Sequence, residues 1–360
     1  MASATRPAGR VDFHIAIICA LPHEADAVTL LFDQFWDEGG DLYGHADGDT
    51  NTYTTGRIGN YDVVLVVLPN MGTSAAAVAA ANFRSSYSGL KLTFLVGVCG
   101  GVPKIGECDA FLGDVVVSKS IIQYDYGRQY PGGFKVKKTA DGRANKDIRS
   151  LLASFEMELN RERLQTKARE HLSLVQSAAL RKRRQADYRY PGLAEDRLFQ
   201  PNYAHKHELS CKLCAAESDT FCELAYNASC TDIGCDEAKL VAREHHLEDG
   251  QFTPEIFIGC VGSGNTVMKS GEDRDRIAAA NGCIAFEMEG AGAWEEVPCI
   301  VVKGICDYAD SHKNKKWQNF AAATAASVAK AMLERYTLED GLRAATRNAA
   351  HDNDRGTERE

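Results

Sequence analysis

Apolar runs alternate along this chain with segments whose hydrophobic residues recur at helical spacing. Five runs have the length and composition of buried strands: 13–20, 91–96, 113–118, 255–261 and 300–305. Four segments have helical patterns: 25–35, 72–87, 274–281 and 317–336. Segments 52–57 and 61–68, joined through Gly59, predict a β-hairpin. Long strands alternating with helices predict a three-layer α/β/α protein with helices on both faces of a sheet.

The pattern changes between residues 128 and 253. Residues 145–185 are mostly helix-compatible and strongly charged, and residues 205–246 are rich in Cys and His. The core pattern resumes at 255. We therefore expect one catalytic domain over 13–336, with an insertion at about 128–253 and flexible tails at 1–12 and 337–360.

Composition narrows the range of partners. The formal net charge is −9, which argues against general binding to nucleic acid or a membrane surface but leaves room for an anionic small ligand in a local basic pocket. No stretch reaches about 18 apolar residues, and residues 1–10 lack the apolar core of a signal peptide. We expect a cytoplasmic protein, in which the 12 cysteines are thiols or metal ligands rather than disulfides.

Two acidic motifs follow apolar runs near the end of the chain. Residues 287–291 read Glu-Met-Glu-Gly-Ala, and residues 306–310 read Cys-Asp-Tyr-Ala-Asp. In an open α/β sheet, ligands bind outside the carboxyl ends of the strands. Acids at these positions suit the binding of a polyol and the protonation of a leaving group.

These motifs resemble the purine nucleoside phosphorylase / methylthioadenosine nucleosidase superfamily, and in particular the branch found at the N-termini of fungal NACHT- and ankyrin-type receptor proteins. The resemblance covers residues 13–125 and 254–336, where four separated motifs occur in the family's order. It implies the nucleoside phosphorylase-like fold, with a central mixed sheet and here a large insertion. It also implies a small purine nucleoside or nucleotide as ligand, no required cofactor, and assembly as a homo-oligomer.

The resemblance assigns roles to the two motifs. Asp307 matches the general acid that protonates the purine N7, with Cys306 in place of the family's Ser. Burial would raise the pKa of such a carboxyl. Met288 and Glu289 match the pair that holds ribose. The alternatives are a helix N-cap for Asp307, core packing for Met288 and a solvated acid for Glu289; Asp310 is interpreted as structural.

The family has two branches, hydrolases and phosphorylases, which differ in the nucleophile that attacks the sugar. Glu24, four positions after Ala20, matches the glutamate that activates water in the hydrolases; its alternative is an ordinary first-turn helix acid. Phosphorylases instead carry an Arg before the glycine-rich turn and a Ser or Thr inside it. Those positions hold Leu95 and Val98 here, and neither side chain can bind phosphate. The sequence therefore favours hydrolysis.

Other positions are expected to bind the rest of the ligand. Residues 263–268 match the family's base-binding strand end, which nominates Asn265, Val267, Met268 and, from the glycine-rich turn, Gly100. Asn265 stands where the family has Asp, which puts base selectivity in doubt. Both apolar residues could equally be core. The candidates for binding a 5′-phosphate are Arg57, Arg84, Arg197 and Lys269.

The insertion contains Cys211-x-x-Cys214, with Cys230 and Cys235 downstream. Four cysteines could bind a structural zinc ion, and the alternative is free thiols. Altogether the sequence predicts a purine nucleosidase that releases adenine from adenosine or ATP. A phosphate-dependent phosphorylase and a non-catalytic nucleotide-sensing module remain the alternatives.

Overall fold

A computed structural model describes residues 5–137, 144–207, 211, 214, 222–244 and 251–338. Of the two predicted tails, residues 1–4 and 339–360 lie outside the described residues. Within the described ranges, no helix has both the length and the apolar character needed to cross a bilayer.

Strands and helices alternate through most of the chain. The strands are β1 (Ile15–Cys19), β2 (Gln34–Phe35), β3 (Tyr53–Ile58), β4 (Tyr61–Val67), β5 (Leu92–Gly101), β6 (Lys104–Ile105), β7 (Cys108–Asp109), β8 (Val115–Gln123), β9 (Gly127–Tyr130), β10 (Gly133–Val136), β11 (Ile256–Ser263), β12 (Cys283–Glu287) and β13 (Cys299–Asp307). The α-helices are α1 (Pro22–Thr29), α2 (Thr73–Ser86), α3 (Lys146–Phe155), α4 (Glu158–Arg181), α5 (Glu223–Asn227), α6 (Cys230–Ile233), α7 (Gly271–Asn281), α8 (Gly290–Glu296) and α9 (Gln318–Leu333).

The main sheet is mixed, with strand order β12-β11-β8-β13-β5-β1-β4-β3-β2. Its central pairs β13–β5, β5–β1 and β1–β4 are parallel, while β8 runs antiparallel to β13. Strand β12 also pairs with β5, through Ala285 opposite Gly101 and Phe286 opposite Gly100. This extra pairing curls β12, β11, β8, β13 and β5 into a closed end of the sheet. The ends of β5, β12 and β13 are thereby brought together.

Helices cover both faces of this sheet, as the sequence predicted. Helix α9 is apolar and Ala-rich, is buried along nearly its whole length, and packs against β13 and β5. Helix α1 and the long α4 of the expected insertion pack against α9, whereas α2 and α8 pack against each other. The three-layer α/β/α fold with a central mixed sheet is confirmed.

The helix predicted over 25–35 was misplaced. It begins at Pro22, where proline suits the first helical position, and ends at Thr29. The backbone then turns towards the sheet edge, because the N–H groups of Asp33 and Trp36 donate to the carbonyls of Arg57 and Thr55. Apolar residues after Thr29 therefore continue the core without continuing the helix. The β-hairpin was predicted to within one residue at each strand end.

A buried acid before β8 predicts a pH effect on stability. Asp114 is almost fully buried, and burial raises its pKa to about 8, although the N–H groups of Phe111 and Glu255 donate to it. The folded state therefore keeps a proton that the unfolded chain loses near pH 4, so stability falls as pH rises between these two values. Thermal unfolding at a series of pH values should show a shallower fall for Asp114→Asn than for the unmodified protein. Parallel curves would contradict this.

Candidate active site

A cavity opens at the carboxyl ends of the central strands, where β1, β5, β11, β12 and β13 end close together. It brings Glu24, Glu289 and Asp307 to one place from three separate parts of the chain. The other residues that line it are Ala20, Leu21, Met71, Val98, Cys99, Gly100, Thr266, Val267, Met268, Phe286, Glu287, Met288, Cys306, Ala309, Lys313 and Gln318.

Glu24 lies in the first turn of α1, directly beyond β1, and is 1% exposed. Its Oε2 accepts hydrogen bonds from the N–H groups of Ala20 (2.8 Å) and Leu21 (2.9 Å), and its Oε1 accepts one from Val98 (2.8 Å). A carboxylate has about four acceptor positions, so these three bonds fix its orientation and leave one. Gly97 must lack a side chain, because a Cβ there would collide with this carboxylate.

Glu289 follows β12, at the N-terminus of α8, and is 4% exposed. Its Oε2 lies 3.3 Å from the Nζ of Lys303, and its Oε1 accepts a long hydrogen bond (3.4 Å) from the N–H of Gly72. Both contacts are long, so the carboxylate can still accept hydrogen bonds from hydroxyl groups of a ligand. Met288 lies beside it in the cavity wall.

Glu287 is another acid near the buried cation of the site, but its oxygens bind backbone N–H groups. Its oxygens accept the N–H groups of Glu289 and Gly290, which caps the start of α8. Burial, and then the charge of Glu289, raise the pKa of this carboxyl. Glu287 is thus an internal cap that orients the backbone of its neighbour Glu289.

Lys303 is the buried cation of the site, and the sequence analysis missed it. It lies in the middle of β13 and is 1% exposed. Burial would lower its pKa, but three nearby carboxylates outweigh burial and raise it. These belong to Glu24, Glu289 and Glu287. A lysine inside the apolar run 300–305 was the available signal, since a charged side chain there must find buried partners.

Asp307 is the last residue of β13, lines the cavity and is 5% exposed. Its Oδ1 accepts the N–H of Ala309 (2.9 Å), and its Oδ2 lies 3.0 Å from the Nζ of Lys313 and 3.4 Å from the Sγ of Cys306. Burial would lower the pKa of Lys313, but the Asp307 carboxylate raises it above its ordinary value. Asp307 and Lys313 therefore form a close ion pair at the cavity wall.

The candidate base-binding residues fall into two groups. Gly100, Val267 and Met268 line the cavity, and a Cβ on Gly100 would come 3.0 Å from Asp307 Oδ1. Asn265 lies outside the lining. Its side chain instead accepts the N–H and hydroxyl of Thr73 at the start of α2 (3.0 and 3.1 Å). A direct contact between Asn265 and a base is not indicated by this geometry.

The four candidate phosphate-binding cations do not line the cavity. Arg57 lies near Asp62 (3.7 Å) on the hairpin, and Arg84 pairs with Glu296 (3.2 Å). Arg197 pairs with Glu237 (3.0 Å), and Lys269 covers the ring of Tyr226. Among the described residues, Lys313 is the only basic side chain in the lining.

The cysteines of the insertion do not form the single four-cysteine group that the sequence suggested. In the described part of the chain, Cys211 and Cys214 group with His207 and Cys222, whereas Cys235 groups with His205 and His312. Cys230 also lies beside His205, with its Sγ 3.8 Å from the Nδ1. In the folded chain His207 and Cys222 lie beside Cys211 and Cys214, and His205 and His312 lie beside Cys235, so neither group contains both cysteine pairs.

Comparisons with known proteins agree with this fold. The model of the family described as "Phosphorylase superfamily" matches residues 14–175. A nucleotide-binding leucine-rich repeat (NLR)-like protein of Hyaloscypha variabilis is 33% identical over 328 residues, which is 89% of this chain and 29% of that protein. The chain thus spans under a third of that relative's length.

Solved structures share the architecture at low identity. Futalosine hydrolase of Helicobacter pylori is 16% identical with a TM-score of 0.52, covering 91% of this chain and 100% of its own. The MTA/SAH nucleosidase of Streptococcus pneumoniae, solved with 8-aminoadenine, is also 16% identical with a TM-score of 0.52, covering 89% and 99%. At such identities the likeness establishes a shared fold.

Proposed function

We propose that this chain, which matches the phosphorylase superfamily over residues 14–175, is a purine nucleosidase that hydrolyses the N-glycosidic bond of an adenine nucleoside and releases adenine. The observation that carries the proposal is the convergence of Glu24, Glu289 and Asp307 on one cavity at the carboxyl ends of the strands. The named activities of the nucleosidase and hydrolase neighbours support the same class.

Each acid has a chemical task in this proposal. The bond between the sugar C1′ and the purine nitrogen breaks, its electron pair goes to the base, and Asp307 delivers a proton to the base. Positive charge develops on the sugar, and Glu289 stabilises it through hydrogen bonds from the ribose hydroxyls. Water forms the new bond to C1′ and loses its proton to the remaining acceptor position of Glu24.

Hydrolysis is favoured over phosphorolysis by the partners of Glu24. Its carboxylate occupies the N–H of Val98, a backbone donor of the glycine-rich turn that could otherwise bind an anion. A second anion beside Glu24 and Glu289 would also face like charges. A water molecule is uncharged, so these carboxylates do not repel it.

The 5′ substituent of the substrate is proposed to be small and uncharged. A 5′-triphosphate needs several cations, and the four candidates from the sequence pair with other groups outside the cavity. We therefore propose adenosine or a related nucleoside ahead of ATP. Cytoplasmic location and assembly as a homo-oligomer stay predictions.

The test is a substrate panel. The full chain is incubated with adenosine, methylthioadenosine and ATP, with and without phosphate, and free adenine is followed by chromatography. The proposal expects phosphate-independent release, fastest for the two nucleosides. Release that requires phosphate would identify a phosphorylase, and tight binding without any release would identify a nucleotide-sensing module.

Replacing Glu24 with Gln should slow adenine release by roughly 100-fold, the lower end of what a general base supplies. The matched control is Asp26→Asn in the same helix, whose carboxylate lies near Arg184 (3.8 Å) outside the cavity. Azide attacks carbon without losing a proton, so added azide should restore release by Glu24→Gln and form a glycosyl azide. Equal rates for the two variants would exclude Glu24 as the base.

A further inference from the structure

Two groups of thiols and imidazoles lie in and beside the insertion. The distal cluster consists of His207, Cys211, Cys214 and Cys222, and one ligand atom from each lies within 4.8 Å of all the others. The Nδ1 of His207 is 3.6 Å from the Sγ of Cys214 and 3.9 Å from that of Cys222. The Sγ atoms of Cys211 and Cys222 are 4.0 Å apart.

The junction cluster joins the insertion to the core. Its members His205, Cys235 and His312 each place one ligand atom within 4.8 Å of the others, and Cys230, which lies beside His205, is its fourth member. The Nδ1 of His205 is 3.4 Å from the Sγ of Cys235 and 3.8 Å from that of Cys230. The other ring nitrogen of His205 lies 3.0 Å from the carbonyl of Ala228. A proton donated there leaves Nδ1 unprotonated towards the sulfurs, which is how a metal-ligating imidazole is usually oriented.

His312 gives an independent indication that this cluster holds a ligand. The residue is 6% exposed, and neither ring nitrogen has a hydrogen-bond partner among the described residues. Its ring is fixed by stacking on Phe199, at 4.0 Å between centroids, and it meets the ring of His205 edge-on. Buried polar groups are rarely left unsatisfied, so a metal bond is a direct explanation for this one.

The spacings match one kind of metal site. A tetrahedral zinc ion with its usual bond lengths separates its sulfur and nitrogen ligands by roughly 3.3–3.8 Å. The sulfur–nitrogen and sulfur–sulfur distances given above run from 3.4 to 4.0 Å, and the grouped ligand atoms all lie within 4.8 Å of one another. Thiolate and imidazole ligands favour zinc over the hard cations. We propose that the distal and junction clusters each bind one structural zinc ion.

The junction ion would also position part of the active site. His312 is adjacent to Lys313, whose Nζ is 3.0 Å from Asp307, and the neighbouring Ser311 hydroxyl accepts the N–H of His205. A metal bond at His312 therefore fixes the loop that carries the Asp307–Lys313 pair. This consequence rests on the proposed function, whereas the metal sites themselves do not.

The experiment measures zinc in the full chain by plasma mass spectrometry after purification without chelators. The proposal expects two ions per chain, one in the Cys211→Ser/Cys214→Ser double variant and one in Cys235→Ser. Cys108→Ser is the matched control, because that exposed thiol lies outside both clusters and two ions should remain. Absence of zinc from the unmodified protein would overturn both sites, and a single ion would overturn the site whose variant loses nothing.

A second measurement does not depend on variants that could fail to fold. X-ray absorption at the zinc edge of the unmodified protein should give four ligands per ion, averaging two and a half sulfurs and one and a half nitrogens. An oxygen-rich shell would contradict the assignment.

Adenine release is measured on the same samples. It should be slower in Cys235→Ser and unchanged in the Cys211→Ser/Cys214→Ser variant. If the protein contains zinc but releases no adenine, the metal sites are supported and the proposed nucleosidase activity is contradicted.

Discussion

Replacing Asp307 with Asn should lower the rate of adenine release from adenosine by roughly 1,000-fold, within the range that general acid catalysis supplies. The amide keeps the shape of the side chain and can still accept the N–H of Ala309, but it cannot give a proton to the base. Substrate binding should change little, so the loss should appear in kcat rather than KM. Steady-state kinetics with chromatographic detection of adenine measure both.

A chemically altered substrate sharpens this prediction. Adenosine methylated at N7 already carries a positive base that leaves without protonation. The Asp307→Asn variant should therefore lose far less activity on that substrate. Asp310→Asn is the matched control, because Asp310 belongs to the same motif but does not line the cavity, and it should lose less than about tenfold on either substrate. An equal loss on both substrates in Asp307→Asn would show that Asp307 is not the acid.

Replacing Lys303 with Met should lower the free energy of unfolding by about 3–5 kcal/mol, the cost of breaking a buried ion pair. The substitution leaves the carboxylates of Glu24, Glu287 and Glu289 buried without their cation. Unpaired buried carboxylates bind protons more tightly than they do in the unfolded chain. The variant should thus recover part of the loss as pH falls from 7 to 5. Urea unfolding at both pH values measures the effect.

The control for Lys303 is a lysine of the same type in an exposed pair. Lys119 lies 2.5 Å from Glu156, with both side chains about half exposed, so Lys119→Met should cost no more than about 1 kcal/mol. Lys303→Arg keeps the charge and should lie closer to the unmodified protein than Lys303→Met. If the Met variants at 303 and 119 were equally stable, the buried lysine would not be holding the acids together.

The parts of the fold that could be predicted are those set by local pattern. The apolar runs around Ile17, Phe94 and Val302 became central strands, and the alternating segments around Gly59 became the hairpin. The end of α1 was misjudged because backbone hydrogen bonds from residues 33–36 to β3 override the apolar pattern. Such a contact depends on chain segments that are distant in sequence.

The candidate site likewise contains residues whose position could be predicted from the sequence and residues whose position could not. Glu24 and Asp307 follow β1 and β13, which both run parallel to β5 and so end at one edge, and their meeting could be anticipated. Glu289 follows β12, which reaches the same cavity through its antiparallel pairing with β5. The lysine in the apolar run 300–305 could be noticed in the sequence, but the partners of Lys303 and Lys313 could be identified only from the structure, because they come from other strands and loops. Two of the candidate phosphate-binding arginines show where prediction from the sequence failed. Arg84 and Arg197 had many potential partners, and the folded chain pairs them away from the cavity.

The most direct test of the central claim follows the oxygen that ends on the sugar. Adenosine is incubated with the protein in phosphate-free buffer made with water carrying a heavy oxygen isotope, and the ribose product is analysed by mass spectrometry. The account predicts adenine together with ribose that contains one heavy oxygen. Unchanged adenosine, or release of adenine only after phosphate is added and with phosphate on the sugar, would contradict it.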